Sequence, residues 1–447
     1  MARLLAIIAL WALLGGCSGP SAAQSGSPRA RGLPPPTREV LSNGMRLIIQ
    51  EHRAAQIVAL YLFVGVGVRD EAPSELGFSH FQEHMLFKGT DSWGPGFVDR
   101  AVEGVGGLSN ANTSLDYTFF SFLLPAAEVA KGVRILADMA FRSKFDPIEL
   151  NRERDVIFEE RRRESDTPWI ALVRGIYGLV FRDHPYGHPP LGVRETLTAG
   201  TRERVFAYYK RHYTPENMAL IVVGPVIPDR VRVVVQRTFG QLPGTRYQRA
   251  PVPAPRPAKD VIRREVKRPE QQAYLALGWL APPTDAADSF AVDLLVSILG
   301  EMESSRLART LHDRERLVSK ITMGYGALQH GGIMSVRAQL EAGDLETVER
   351  RILEEIARIQ ESGVTEDERQ LAVTRFEAEH AFDSETAEGL AYNYGIAEIA
   401  WSLEEELRYV ERLKEVTREQ IREAARRYLS RTDYARLAFV PKKRGER

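Results

Sequence analysis

The strongest constraint on the fold is an internal repeat. Residues 201–223 and residues 417–440 share one order: a Thr-Arg-Glu start, a helical stretch ending in two basic residues, and an apolar strand. Each half of the chain also opens with a strand that leads into a helix, beginning at residue 58 in the first half and at residue 273 in the second. Self-similarity of this kind indicates that one supersecondary unit occurs twice. The sequence therefore predicts a duplicated α/β unit.

A proline-rich stretch separates the two copies. Residues 242–257 contain five prolines and show no apolar periodicity, so they predict a semi-extended linker. The boundaries that follow are a first domain at 38–241 and a second domain at 258–443.

The N-terminal residues predict a processed leader instead of a folded element. A short apolar run and Gly15-Gly16 lead to Cys17, the only cysteine of the chain. This stretch resembles the lipobox of bacterial lipoproteins, whose cysteine is lipidated; the alternative is an ordinary secretory signal with an incidental cysteine. On the lipoprotein interpretation, residues 1–16 are the signal peptide and residues 17–37 a flexible tether. Ser18 then favours the outer membrane of the bacterial cell envelope, with the protein facing the periplasm.

One short stretch carries the clearest chemistry. His80 and His84 are four residues apart, so a helix places both imidazoles on one face, where they can share a metal ion. Glu83 completes the order H-x-x-E-H, the reverse of the H-E-x-x-H zinc helix, and its carboxylate reaches a metal-bound water. Ser79 and Gln82 predict a capping box at the start of this helix. The alternative is a buried helix that happens to carry two histidines.

A third metal ligand has to come from another element, and it is a carboxylate or a histidine because no second cysteine exists. A helix predicted at 146–164 carries apolar and acidic residues on one stripe: Leu150, Glu153, Val156, Ile157, Glu160 and Glu164. Acids on a buried stripe are costly unless they are paired or bound to metal. We choose Glu160 as the ligand and Glu153 as a residue that steers a ligand or substrate. The alternative is that these acids pair with neighbouring arginines, which accounts for Glu159.

A glycine-rich stretch at 104–114 leads into another predicted strand. It lacks the Gly-Lys-Ser/Thr sequence of a phosphate-binding loop. We interpret Asn110 and Ala111 as part of an exposed strand edge that pairs with an extended peptide substrate. The alternative is a simple turn before a strand.

Together these stretches resemble the pitrilysin and mitochondrial-processing-peptidase family of zinc peptidases. The resemblance begins at the Ser42-Asn43-Gly44 hairpin and extends to the strand that ends at Gly224. It implies a Zn²⁺ cofactor and the following roles: zinc ligands His80, His84 and Glu160, general base Glu83, and distal catalytic glutamate Glu153. With the repeat, it implies an α+β fold of two homologous α/β domains, only the first of which binds zinc. Each is expected to be a mainly antiparallel sheet with helices packed on one face, and the two are expected to enclose a cavity.

The second half departs from the family's pattern. Its segment at 304–317 resembles the family's substrate-binding segment, but His312 and Ser319 occupy positions where active single-chain members and partner subunits carry an Arg and a Tyr. The resemblance therefore implies a homodimer or a heterodimer with a related subunit that carries this Arg/Tyr pair.

The resulting prediction is a zinc metalloendopeptidase that cleaves peptides or unfolded polypeptides, with Glu83 acting on a zinc-bound water. One alternative is a catalytically weak or inactive scaffold subunit of a peptidase-like heterodimer. Another is a metal-dependent hydrolase of non-peptide substrates. The 60 basic and 60 acidic residues give no net charge and so do not indicate nucleic acid as a partner. Membrane attachment is expected through Cys17.

Overall fold

The computed structural model describes residues 34–245 and 247–442. The predicted leader, Cys17 and most of the predicted tether lie outside these residues. Within the described ranges, no helix has the length and apolar character needed to cross a membrane.

The first half of the chain folds around a six-stranded sheet. Its strands are β1 (Thr37–Val40), β2 (Arg46–Glu51), β3 (Ile57–Val64), β4 (Leu108–Thr113), β5 (Thr118–Pro125) and β6 (Met218–Gly224). They lie in the order β1-β2-β6-β3-β5-β4, and every neighbouring pair is antiparallel except β2 and β6. Gly44, at φ 84°, allows the predicted tight turn between β1 and β2. Strand β3 is central, which explains why its sequence is apolar without alternation.

The helices of this half follow the strands closely. They are α1 (Phe78–Leu86), α2 (Phe97–Glu103), α3 (Val129–Arg142), α4 (Pro147–Asp166), α5 (Pro168–Val180), α6 (Arg194–Thr198), α7 (Arg202–His212) and α8 (Pro228–Arg237). Side chains of α1, α3 and α7 form one core with one face of the sheet.

The second half repeats this order around a five-stranded sheet. Its strands are β7 (Ile262–Arg268), β8 (Ala273–Ala281), β9 (Val318–Gly326), β10 (Gly332–Leu340) and β11 (Ala435–Pro441). They lie in the order β7-β11-β8-β10-β9, and only β7 and β11 are parallel. The helices are α9 (Ser289–Val296), α10 (Leu345–Ser362), α11 (Glu366–Ser384), α12 (Ala387–Ala400), α13 (Leu403–Glu406), α14 (Tyr409–Glu415) and α15 (Arg418–Tyr428). Two π-helical segments, Ser297–Glu301 and Ala308–Arg314, follow α9. The predicted α+β fold of two duplicated, mainly antiparallel domains is confirmed.

The two domains exchange one helix each, which the sequence did not predict. Helix α5, from the first half, packs on β8 and β11 of the second sheet, while α12 packs on β3 and β6 of the first. Each sheet therefore has its own helices on one face, as expected, and a helix of the other domain on the opposite face. A cleft lies between the domains and is lined in part by Tyr117, Leu328 and Trp401.

The segment between the domains forms no helix or strand in its described parts, 242–245 and 247–257. It is nevertheless docked on the first domain. Arg249 Nε donates to Asp70 at 2.9 Å, and the Tyr247 hydroxyl lies 3.0 Å from His212 Nδ1.

Candidate metal centre

Helix α1 begins at a left-handed glycine. Gly77, at φ 94°, is the N-cap residue, and the carboxylate of Glu71 accepts the backbone N–H groups of Gly77 and Ser79, both at 2.8 Å. The predicted capping box is therefore wrong, because a side chain from the preceding loop satisfies the helix start. Gln82 instead donates to the Val205 carbonyl at 2.8 Å. Burial raises the pKa of Glu71 to about 8, although these two N–H groups oppose the shift.

Three candidate ligands converge between α1 and α4. Glu160 Oε2 lies 3.7 Å from His80 Nε2 and 3.4 Å from His84 Nε2. All three atoms lie within 4.8 Å of one another, and this is the one such group of three or more His, Cys, Asp or Glu side chains found in the described part of the chain. The structure thus brings the predicted metal ligands together.

The donor set fits a zinc ion. Glu160 Oε2 is buried and accepts no hydrogen bond from any described residue, although it faces two imidazole nitrogens. Bonds of about 2.0–2.1 Å place tetrahedral ligand atoms roughly 3.3 Å apart, close to the separations seen here. Two imidazoles and one carboxylate also leave one position free for water or substrate, which is the ligand count of catalytic zinc sites.

Glu153 lies behind His84, away from the point where the three ligands meet. Its carboxylate is 2.9 Å from His84 Nδ1 and 2.9 Å from Lys88 Nζ. Binding at Nδ1 turns Nε2 toward Glu160 and fixes the tautomer that can bind metal. The structure places Glu153, predicted as a catalytic or steering residue, where its carboxylate can orient His84.

The charges of the centre are strongly coupled. Burial opposes the charging of His84, but the carboxylates of Glu153 and Glu160 outweigh it and raise the pKa of His84 to about 9. For His80, burial and the neighbouring His84 hold the pKa well below its ordinary value. Burial also opposes the ionisation of Glu153, but His84 and Lys88 prevail and lower its pKa.

Glu83 points from α1 toward the end of β4. The Thr113 hydroxyl donates to Glu83 Oε2 at 2.6 Å, and Thr118 lies 3.4 Å behind Thr113. Burial raises the pKa of Glu83 to about 7, with the Thr113 hydrogen bond opposing the shift. A carboxylate with a pKa near neutrality can both take up and release a proton, as a general base and acid must.

Strand β4 has one free edge. In the described chain it pairs with β5 alone, and Ala111 N–H bonds to the Asn110 side-chain oxygen at 2.9 Å. The predicted edge residues Asn110 and Ala111 therefore lie on a strand with one free edge, two or three residues before the threonine that contacts Glu83.

Helix α4 matches its prediction closely at its start. The Asp146 side chain accepts the N–H of Ile148 at 2.8 Å, and Pro147 occupies the first turn. The buried stripe consists of Leu150, Glu153 and Ile157. The prediction that Val156 belongs to it is wrong, since that side chain is 41% exposed.

Three functional residues were not predicted. Glu71 holds the start of α1, Lys88 binds Glu153, and Thr113 binds Glu83. Thr113 and Lys88 lie within the stretches singled out in the sequence, but only the tertiary structure shows what they contact.

The positions that depart from the expected Arg/Tyr pair lie on the second domain. His312 is exposed and interacts with its neighbour Asp313 at 2.8 Å. Ser319 is also exposed, and its hydroxyl donates to the Gln339 carbonyl at 3.1 Å.

Comparison with protein families gives two adjacent matches. Residues 46–192 match the family described as Insulinase (Peptidase family M16), and residues 200–376 match the one described as Peptidase M16 inactive domain. The first range contains His80, Glu83, His84 and Glu160.

Comparison with individual proteins agrees. An uncharacterized zinc protease of Mycobacterium leprae is 28% identical over 400 residues, 88% of this chain and 89% of that protein. A protease from Helicobacter pylori has a structure that matches with a TM-score of 0.86 at 24% identity, over 92% of this chain and 100% of that one. The periplasmic protease PqqL from Escherichia coli matches with a TM-score of 0.73 at 22% identity, over 92% of this chain but 48% of that one.

Proposed function

Since the chain belongs to the insulinase family of peptidases (peptidase family M16), we propose that it is a zinc metalloendopeptidase acting on peptides or unfolded polypeptides. The observation that carries the proposal is the buried, unpartnered Glu160 oxygen facing His80 and His84, with Glu83 beside them.

Held by His80, His84 and Glu160, a zinc ion would supply the positive charge that polarises the scissile carbonyl and acidifies the attacking water. Glu83 takes the proton from that water as it attacks, and then passes the same proton to the leaving amine. Thr113 keeps the Glu83 carboxylate in one orientation through its 2.6 Å hydrogen bond. Glu153 performs the equivalent task for His84.

The free edge of β4 is the surface we propose for the substrate. An extended peptide added beside Asn110 and Ala111 would form main-chain hydrogen bonds that do not depend on its sequence. Because Thr113 ends this strand and contacts Glu83, the same pairing would bring a peptide bond next to the general base.

The match to an inactive domain does not favour a scaffold role. It covers residues 200–376, and therefore falls mainly on the second domain, whose helix α9 contains no histidine. The candidate metal centre lies in the first domain, within the other match.

We also propose that full activity needs a second, related unit. This chain spans 48% of the length of PqqL, a protease, so that protein has room for a second unit of this size. The exposed His312 and Ser319 stand where the expected Arg/Tyr pair is missing. Replacing both, His312→Arg with Ser319→Tyr, should raise the activity of the chain assayed alone. Equal activity before and after this change would contradict the need for the pair.

The location in the bacterial envelope and the lipid at Cys17 are likewise proposals. They are supported by the lipobox-like Gly15-Gly16-Cys17 sequence and by the periplasmic location in the name of PqqL. Labelling with a radioactive fatty acid in cells should be seen for the native chain and lost in Cys17→Ser.

The central experiment combines metal analysis with cleavage of quenched fluorescent peptides. The native protein should contain about one zinc per chain and lose activity when the zinc is chelated. Glu83→Gln should keep its zinc and lower kcat by about a thousandfold, within the range for a general base. Glu159→Gln, which replaces an exposed acid on α4, is the matched control and should change neither the zinc content nor kcat. Cleavage by Glu83→Gln at the native rate would rule out the proposed role, and a zinc-free native protein would favour the scaffold.

A further inference from the structure

A nearly buried arginine on the second sheet has no acidic partner among the described residues. Arg337 lies on β10, faces helix α5 and is 8% exposed. Its Nε atom makes no hydrogen bond with any described residue, and burial lowers the pKa of its guanidinium more than the charge of Glu301 raises it. The nearby acid Glu301 is bound to Arg375 instead, at 2.6 Å. An unpaired buried charge is costly, so we expect this guanidinium to bind an anion.

A second cation shares the same surface. The Lys320 ammonium on β9 lies 4.8 Å from the centre of the Trp169 ring, and the Arg337 guanidinium carbon lies 5.9 Å from the same ring. The ring attracts both cations. Two like charges held at one ring nevertheless repel each other unless an anion lies between them.

A hydroxyl group completes the cluster. The Tyr177 hydroxyl, about two turns along α5 from Trp169, is buried and has no hydrogen-bond partner among the described residues. It packs against Gly326 at the end of β9. An oxyanion can accept hydrogen bonds from both a guanidinium and a phenol.

This surface adjoins the metal centre. Arg174 lies on α5 between Trp169 and Tyr177, and it pairs with Glu164 on the ligand-bearing helix α4 at 3.3 Å. Its charge also contributes to the lowered pKa of His80. The contact between α5 and the second sheet therefore begins close to the candidate ligands.

We propose that Arg337, Lys320 and Tyr177 form a subsite that binds a carboxylate of the peptide substrate. The proposal rests on the peptidase function proposed above and specifies its substrate class: peptides with an acidic side chain or a free C-terminus at a fixed distance from the cleaved bond. The planar guanidinium of Arg337 matches the two oxygens of a carboxylate.

The test uses three quenched fluorescent peptides of one sequence. One has a free C-terminal carboxylate, one a C-terminal amide, and one an amide with an internal Glu in place of Gln. The native enzyme should cleave one of the two anionic peptides with a KM about tenfold lower than the neutral peptide, as expected for a charge-assisted hydrogen bond. Which anionic peptide is preferred distinguishes a terminal carboxylate from a side-chain carboxylate.

The variants assign that preference to the cluster. In Arg337→Gln, the KM for the neutral peptide divided by the KM for the preferred anionic peptide should fall to about one. Lys320→Gln, an exposed position that does not disturb packing, should reduce the same ratio. Arg264→Gln, an exposed arginine on β7 of the same sheet, is the matched control and should keep the native ratio. Binding of the same peptides to Glu83→Gln, measured by fluorescence anisotropy, should show the same order without turnover.

Equal KM values for all three peptides in the native enzyme would overturn the subsite while leaving the peptidase function intact. A preference that persists in both Arg337→Gln and Lys320→Gln would overturn it as well. Failure to cleave any of the peptides would count against the peptidase function itself, and anisotropy would then decide whether the subsite exists.

Discussion

The two domains share a helix order, but the acids at the same position of their long helices have different partners. Glu160 on α4 and Glu379 on α11 each lie 14 residues after their N-cap residues, Asp146 and Thr365. Glu160 faces two imidazoles and pairs with no lysine or arginine of the described residues. Glu379 pairs with Arg375 at 2.8 Å, and Arg375 also binds Glu301 at 2.6 Å.

The difference teaches what creates a metal site in a duplicated fold. In the second domain the chain supplies its own cation, a guanidinium, between two carboxylates. In the first domain the corresponding acid pairs with no lysine or arginine of the described chain and faces two imidazoles, the arrangement that the proposed zinc ion would complete. Architecture is common to both copies, and the function depends on which charges each copy leaves unpaired.

The largest expected effect compares these two acids. Glu160→Gln removes a ligand and should weaken zinc binding more than about a hundredfold, beyond the loss seen for residues that only support a ligand. Glu379→Gln should leave zinc affinity unchanged and lower stability, since Arg375 loses one of its two acids. Competition with a coloured chelator measures the affinities, and thermal unfolding measures the stabilities. Similar zinc affinities for the two variants would show that Glu160 is not a ligand.

The sequence predicts the residues of the first-domain site but not the ion pair of the second domain. His80, Glu83, His84 and Glu160 could be predicted as neighbours because a metal site requires specific residue types at a helical spacing, and that requirement is local. Arg375 was not found, since any arginine can pair with any acid and the choice is made by packing. The exchange of α5 and α12 was missed for the same reason, because both helices have apolar faces that fit either sheet.

The next comparison concerns the position seven residues after each N-cap. Glu153 holds His84 there in the first domain, and Ala372 is buried there in the second. Glu153→Ala should weaken zinc binding by about 10–100-fold, because the His84 ring loses the carboxylate that orients it. Glu149→Ala, at the start of the same helix, is the control and should bind zinc normally. An unchanged affinity in Glu153→Ala would mean that packing alone holds His84.

The exchanged helices give a third comparison, in stability. A Cβ atom on Gly395 of α12 would lie 2.0 Å from the Phe63 ring, whereas one on Gly175 of α5 would meet the flexible end of Leu437 at 2.4 Å. Gly395→Ala should therefore cost about 2 kcal/mol of unfolding free energy through overpacking. In Gly175→Ala, movement of Leu437 and the better helix propensity of alanine should leave stability nearly unchanged. Denaturant titration measures both, and equal losses would show that the two contacts are equally rigid.

The smallest effect compares the last residues of the equivalent helices α7 and α15, His212 and Tyr428. Burial and the charges of Arg211 and Arg249 lower the pKa of His212 to about 3, while its unfolded value is about 6.5. The unfolded chain therefore binds the proton more tightly, so stability is complete above pH 6.5 and decreases as the pH falls toward 3. At pH 5.5 the loss from this residue should be about 1.4 kcal/mol.

His212→Gln should remove that part of the pH dependence, even if it lowers stability at pH 7 by breaking the contact with Tyr247. Tyr428→Gln should keep the native slope, because a phenol does not titrate between pH 5 and pH 7. The measurement is the unfolding free energy at pH 7.0 and pH 5.5 for the three proteins. If His212→Gln and the native protein lose the same stability, acid sensitivity of the first domain arises from another buried group, and the contrast between the two helix ends is structural only.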